Sequence, residues 1–178
     1  ITVAKSAGFF FFFNRAINIV NSLLDKNVKV STLGPIIHNM EVVNELESRG
    51  CKAVENIDEV EKDATLVIRS HGVPKYVIDK LDENGVKYED ATCPFVKKIH
   101  NIVANPDNKD GIVLIAGNSV HPEVEGIIGH CSTECHTFKN SEEIDEIYNI
   151  ILKKNNKQVF VVAQTTFDTK EWKKCVKK

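Results

Sequence analysis

The sequence has no excess of either charge, no long apolar run and no even set of cysteines, and each shortage excludes a class of function. With 23 Lys and Arg against 25 Asp and Glu, the formal net charge is -2. That leaves no basic footprint for nucleic acid. The cluster Lys170, Lys173, Lys174, Lys177 and Lys178 reads as a solvated helix face or tail. The dense apolar run near the start, Phe9 to Phe13, is too short to cross a bilayer. Lys5 lies just upstream, Arg15 follows, and no small-residue cleavage pattern appears, so neither a membrane span nor a targeting segment is expected. Five cysteines spread over positions 51, 93, 131, 135 and 175 do not form a disulfide framework, which makes a reducing cytoplasm the expected compartment.

What is present is a soluble, globular composition, 42% hydrophobic and 27% charged, in 178 residues. That length holds one large domain or two small ones. Strand-like and helix-like periods alternate along the chain. Ile1 to Lys5 reads as a strand, Ile17, Val20 and Leu24 mark a helix face, and Val28 to Leu33 reads as a strand. Met40, Val43 and Leu46 mark a helix stopped at Gly50; Lys52 to Val54 and Ala64 to Ser70 read as strands. A helix from about Pro74 to Glu83 precedes a strand at Val86 to Glu89. The second half repeats the scheme, with a helix after Cys93 facing inward through Phe95, Ile99, Ile102 and Val103, and a buried strand at Gly111 to Gly117. A helix at His121 to about Gly129, a helix around Ile144 to Ile151, a strand at Gln158 to Ala163 and a last helix with Trp172 and Val176 follow. The pattern predicts parallel α/β sheets with helices on both faces, as a first domain over 1–95 and a second over 96–178.

Asp90-Ala91-Thr92-Cys93-Pro94 organises this reading, because it marks a strand end followed directly by a helix start. Pro94 suits a first helical turn, and a thiol beside that helix N-terminus is favoured as thiolate, although a lone cysteine is more often a packed one. Ligands of parallel α/β sheets bind beyond the carboxyl ends of the strands. Ser70-His71-Gly72, Thr92-Cys93, Gly117 to Glu123 and Gln164-Thr165-Thr166 all fall at such ends, and His38-Asn39 follows another. Singly, each has an ordinary structural explanation: Glu123 as a first-turn acid, Thr165 or Thr166 as the N-cap of the last helix. Together, His38, His71 and His121 compose an anion cradle with a carboxylate, a hydroxyl and a thiol beside it.

His130-Cys131-Ser132-Thr133-Glu134-Cys135-His136 has thiols at zinc-like spacing flanked by histidines. It is half of a structural zinc site, and no second pair is visible, so the metal reading ranks below an ordinary structural one.

With these residues assembled, the chain resembles the 4-hydroxy-3-methylbut-2-enyl diphosphate reductase family (LytB/IspH). The matches are Gly8-Phe9 with Arg15-Ala16-Ile17, then Ile37-His38-Asn39, Ser70-His71-Gly72, Asp90 to Pro94, His121-Pro122-Glu123-Val124-Glu125-Gly126 and Gln164-Thr165-Thr166. The resemblance implies two of three small α/β domains arranged as a cloverleaf around a cleft. It also implies an oxidoreductase that removes an allylic hydroxyl from a diphosphate at a 4Fe-4S cluster, fed by an external donor of ferredoxin or flavodoxin type. The products would be isopentenyl and dimethylallyl diphosphate, in non-mevalonate isoprenoid biosynthesis. By the same resemblance Cys93 is a cluster ligand; His38, His71 and His121 bind diphosphate; Glu123 relays a proton, with His121 also catalytic; and Thr165 orients the hydroxyl.

The chain departs from the family pattern at the cluster. Phe10 stands where the family has its first cysteine ligand, and a benzyl group cannot bind iron. The third ligand and third domain would lie beyond Lys178. The expectation is therefore a reductase-family chain that is inactive as written, the alternative being a non-catalytic diphosphate-binding or interaction module.

Overall fold

A computed structural model describes residues 11–37, 39–105, 111–152 and 158–177. Contacts within the chain divide it into two units, Ile1–Gly72 with Ile78–Cys93, and Val73–Val77 with Pro94–Lys178. The expected strand at Ile1 to Lys5 lies outside the described residues.

The first unit carries α1 (Phe11–Leu24), β1 (Val30–Leu33), α2 (Met40–Ser48), β2 (Cys51–Val54), a 3-10 turn at Ile57–Glu59, β3 (Thr65–Ile68) and β4 (Tyr88–Asp90), with α3 (Lys75–Glu83) between the last two strands. Its sheet has the order β2-β1-β3-β4, and every pairing is parallel. One core packs Ala16 and Val20 of α1 with Val30, Ile36, Ile37, Leu46, Val67 and Ala91. α2 begins where Asn39 Oδ1 accepts the Glu41 and Val42 N–H groups, at 3.0 and 3.3 Å, which satisfies two of the donors a helix start leaves open. It ends before Gly50, whose φ of 95° costs little without a Cβ.

The second unit carries α4 (Pro94–Ala104), β5 (Ile112–Ala116), α5 (Pro122–His130), β6 (Glu134–Phe138), α6 (Ser141–Leu152), β7 (Val159–Ala163) and α7 (Thr169–Cys175). Its parallel sheet runs β6-β5-β7. β5 explains the uninterrupted apolar run, because all five of its residues are buried and successive side chains feed opposite cores. Val113 and Ile115 pack with Val103 of α4 and Val124 and Ile127 of α5. Ile112, Leu114 and Ala116 pack with Phe138, Ile147 of α6 and Cys175 of α7. Each fully buried Ile, Leu or Val contributes about 1.5–3 kcal/mol of apolar burial, so a small parallel unit is held from both sides.

The structure corrects several local expectations. α4 turns inward through Val96, His100 and Val103, while Phe95 and Ile102 are exposed. The apolar face is rotated because His100 is buried against α5, its ring stacked on His130 at a centroid distance of 4.1 Å. Met40 is exposed at the start of α2. The segment Glu134–Phe138, inside the cysteine and histidine motif, is a strand that the sequence reading did not anticipate. Neither Thr165 nor Thr166 caps the last helix: Asp168 does, accepting the Lys170 and Glu171 N–H groups at 2.9 and 2.8 Å.

Candidate active site at the strand ends

In the first unit, the chain leaving β3 and the chain leaving β4 are joined by a backbone bond in which Cys93 N–H donates to Ser70 O at 2.9 Å. This brings the Ser70-His71-Gly72 turn beside Thr92-Cys93. Asp90 Oδ1 accepts the Thr92 N–H at 2.9 Å, and the Arg15 guanidinium donates to Asp90 O and Thr92 O, both at 3.3 Å. α1 is thereby tied to the turn that presents Cys93. Arg15 had stood out only as part of a motif; its bonds to the turn depend on tertiary placement. Cys93 and His71 are half-buried, and the buried Ser70 Oγ has no hydrogen-bond partner among the described residues. His38 lies outside the described residues, as does Phe10.

In the second unit, His121, Glu123 and Thr165 are brought together by β5 and β7, which lie side by side. His121 is the N-cap of α5. Its Nδ1 accepts the Glu123 backbone N–H at 3.1 Å, and because that hydrogen is fixed on nitrogen, the neutral ring carries its own proton on Nε2. Pro122 follows at the first helical position, where no N–H is needed. Glu123, only 2% exposed, accepts the Thr165 N–H on Oε1 at 2.6 Å and the Thr165 hydroxyl on Oε2 at 2.8 Å. A buried carboxylate is tolerable because both oxygens are engaged by one residue and the α5 N-terminus lies alongside. Gln164 Nε2 donates to Thr166 Oγ1 at 2.6 Å, which fixes the turn after β7. Chemically, the group is a positioned carboxyl with a hydroxyl relay and an imidazole whose donor nitrogen is defined.

The cysteines do not assemble a cluster site. Among the described residues, no three His, Cys, Asp or Glu side chains gather as they would around a metal. Burial, with Glu47 nearby, pushes the Cys51 thiol up to about 11, and burial also raises Cys175; neither is a ready thiolate. Among the described residues, Cys93 is the one thiol that follows the carboxyl end of a strand, so these residues do not fit a cluster held by three cysteines. The zinc-like motif fails the same test. His130 Nε2 lies 3.1 Å from Val73 O, and His136 Nε2 lies 2.8 Å from Glu134 Oε1, so both rings are engaged by groups other than the two thiols.

Parallel sheets with polar groups at their strand ends place the chain in the class of α/β proteins, whose ligands generally bind beyond the carboxyl edges of the sheets. The chain belongs to the LytB protein family, whose model matches residues 1–178. It is 41% identical over 171 residues to a 4-hydroxy-3-methylbut-2-enyl diphosphate reductase of Alkaliphilus oremlandii, an alignment covering 95% of this chain and 59% of the relative. The reductase of the same description from Clostridioides difficile is 37% identical over 169 residues, covering 94% and 59%. The chain thus spans about 59% of the length of these curated relatives. A solved structure of (E)-4-hydroxy-3-methyl-but-2-enyl diphosphate reductase, described as the terminal enzyme of the non-mevalonate pathway, matches with a TM-score of 0.84 and 35% identity, over 99% of this chain and 62% of that one. The E-1-hydroxy-2-methyl-but-2-enyl-4-diphosphate reductase from Plasmodium falciparum matches with a TM-score of 0.84 at 26% identity, over 97% and 54%. The expected two parallel α/β units of this family are therefore present. Among the described residues, no helix is long and apolar enough to cross a membrane.

Proposed function

We propose that this chain carries substrate-anchoring and proton-delivering portions of a cytoplasmic reductase that converts 4-hydroxy-3-methylbut-2-enyl diphosphate to isopentenyl and dimethylallyl diphosphate. The observation that carries the proposal is Glu123, a buried carboxyl clasped by Thr165 on a helix capped by His121. Removal of the allylic hydroxyl as water consumes two electrons and two protons. The electrons come from an external donor of ferredoxin or flavodoxin type. Thr165 places its hydroxyl between Glu123 and the substrate hydroxyl. Once Glu123 has taken a proton from solvent it passes that proton to the Thr165 oxygen while Thr165 gives its own hydrogen to the departing hydroxyl, and the second proton comes from solvent. His121 donates from Nε2 to the diphosphate, joined by His71 and His38.

The same proposal holds that this polypeptide, as written, does not turn over. The family reaction requires an iron-sulfur cluster, and Phe10 at the first ligand position leaves Cys93 as the one cysteine matched to a ligand position. The test is iron and acid-labile sulfide content, with the visible spectrum, after reconstitution without oxygen. Sub-stoichiometric iron is expected, and stoichiometric cluster would overturn the inactive reading. In the same sample, calorimetry with inorganic diphosphate should detect binding that weakens about tenfold in His121→Ala, the size expected for losing one charge-assisted hydrogen bond. Undetectable binding, or no change in His121→Ala, would remove the histidine from the anion site.

A further inference from the structure

The motif Cys131 to Cys135 is unused by the reading above, and the structure gives it a different chemistry from zinc. Cys131 is the C-cap of α5 and Cys135 is the second residue of β6. Both are half-buried and both pack against the same apolar cluster of Val103, Val113, Val124 and Ile127. The three residues between them return the chain from helix to strand, which sets both side chains on that one cluster, near enough for a side-chain hydrogen bond between the two sulfurs. Within that turn the Thr133 hydroxyl is buried with no hydrogen-bond partner among the described residues. We propose that Cys131 and Cys135 form a reactive vicinal dithiol, a modification site that closes to an intrachain disulfide by exchange with a low-molecular-weight disulfide of the glutathione class.

The hydrogen bonding assigns the two sulfurs different roles. Cys131 has one S–H and two acceptors within reach. It donates to Ile127 O, 3.4 Å away, when Cys135 is a thiol, and turns to Cys135 when that sulfur is charged, because an anion is the better acceptor. This hydrogen bond holds the Cys135 thiol down at about 7 and, with burial, pushes Cys131 well above the ordinary thiol range. Cys135 is thus the attacking thiolate, poised near neutral pH where exchange is fastest. It attacks one sulfur of the small disulfide, forming a mixed disulfide and expelling one thiolate, which takes up a proton. Cys131 then gives its proton to solvent and attacks the Cys135 sulfur, expelling the second small thiolate. The protein dithiol has lost two electrons and two protons, and the small disulfide has become two thiols.

The test is timed alkylation of the reduced, folded 178-residue chain at neutral pH, read by peptide mass spectrometry, followed by exposure to oxidised glutathione. Cys135 should label at least about tenfold faster than Cys51, whose thiol is pushed up to about 11. The labelling rate of Cys135 should rise with a midpoint near 7, and oxidation should give a peptide linking Cys131 to Cys135 that has lost two hydrogens. In Cys131→Ala the midpoint should move up toward that of an ordinary cysteine, and oxidation should stall at glutathionylated Cys135. Equal labelling of Cys135 and Cys51, or oxidation without the linked peptide, would overturn the proposal on the wild-type protein alone. Because the readout involves neither iron nor diphosphate, its failure is separate from failure of the reductase reading.

Discussion

A carboxylate with 2% exposure needs its lone pairs filled, and Thr165 fills two positions on Glu123 from a single residue. The two contributions are separable, since the backbone N–H survives any substitution whereas the hydroxyl does not. Thr165→Val should therefore lower stability by about 1–2 kcal/mol, the cost of leaving one side of a buried acceptor without its donor, while Thr165→Ser should retain most of it. Urea denaturation of the two variants checks this, and an unaltered Thr165→Val midpoint would mean that water replaces the hydroxyl freely. Both residues were legible as strand-end polar groups because the strands on either side announce themselves by period. Their bond was not, since Glu123 and Thr165 are 42 positions apart and meet only because β7 lies next to β5 rather than next to β6. A periodic pattern says where a strand stops; it does not say which other strand stops beside it.

At the scale of the element, α5 links the two features argued above, with His121 and Glu123 at its start and Cys131 at its end. Its seating depends on Gly129, where an added Cβ would sit 2.3 Å from Pro74 Cβ and 2.8 Å from Pro74 Cα. Alanine normally gains about 1 kcal/mol over glycine inside a helix. Here the obstruction includes backbone, which cannot rotate away, and forcing atoms into such a gap costs about 1–3 kcal/mol. Gly129→Ala should consequently destabilise, with a lowered melting temperature and a disturbed His130 ring, which lies against Val73 O and stacks on His100. A higher melting temperature would show that the close approach to Pro74 is not maintained in solution. Sequence reading placed this helix well, yet missed β6 directly after it. Glu134–Phe138 buries only Phe138 fully and sits at a sheet edge, so its apolar signal is thin, and the Cys and His residues drew it toward a metal motif. The inward face of α4 differs from its periodic expectation for a related reason: the buried position is taken by His100, a residue that hydropathy counts as polar.

At the scale of the molecule, the same strand arrangement occurs twice among the described residues, β2-β1-β3 in the first unit and β6-β5-β7 in the second, with the earliest strand flanked by the next two. The repeat was visible as a recurring alternation of periods, because buried parallel strands and amphipathic helices each impose their own spacing on the chain. Among the described residues, the cluster around Val20, Val30 and Val67 has no member in common with the clusters around Ile127 and Ile112. Ile127 is fully buried on α5 against Val113, Ile115 and Val162. Truncating it removes apolar contacts and leaves a cavity, a change that costs about 2–5 kcal/mol in such cores. Ile127→Ala should therefore accelerate amide exchange in β5, β6 and β7 while leaving β1 and β3 near their wild-type rates, because local stability follows the core that an amide belongs to. Hydrogen exchange read strand by strand decides it. Equal acceleration in β1 and β3 would show that the two cores open as one cooperative block, and the strand ends carrying Cys93 and those carrying Glu123 would then gain and lose their order together.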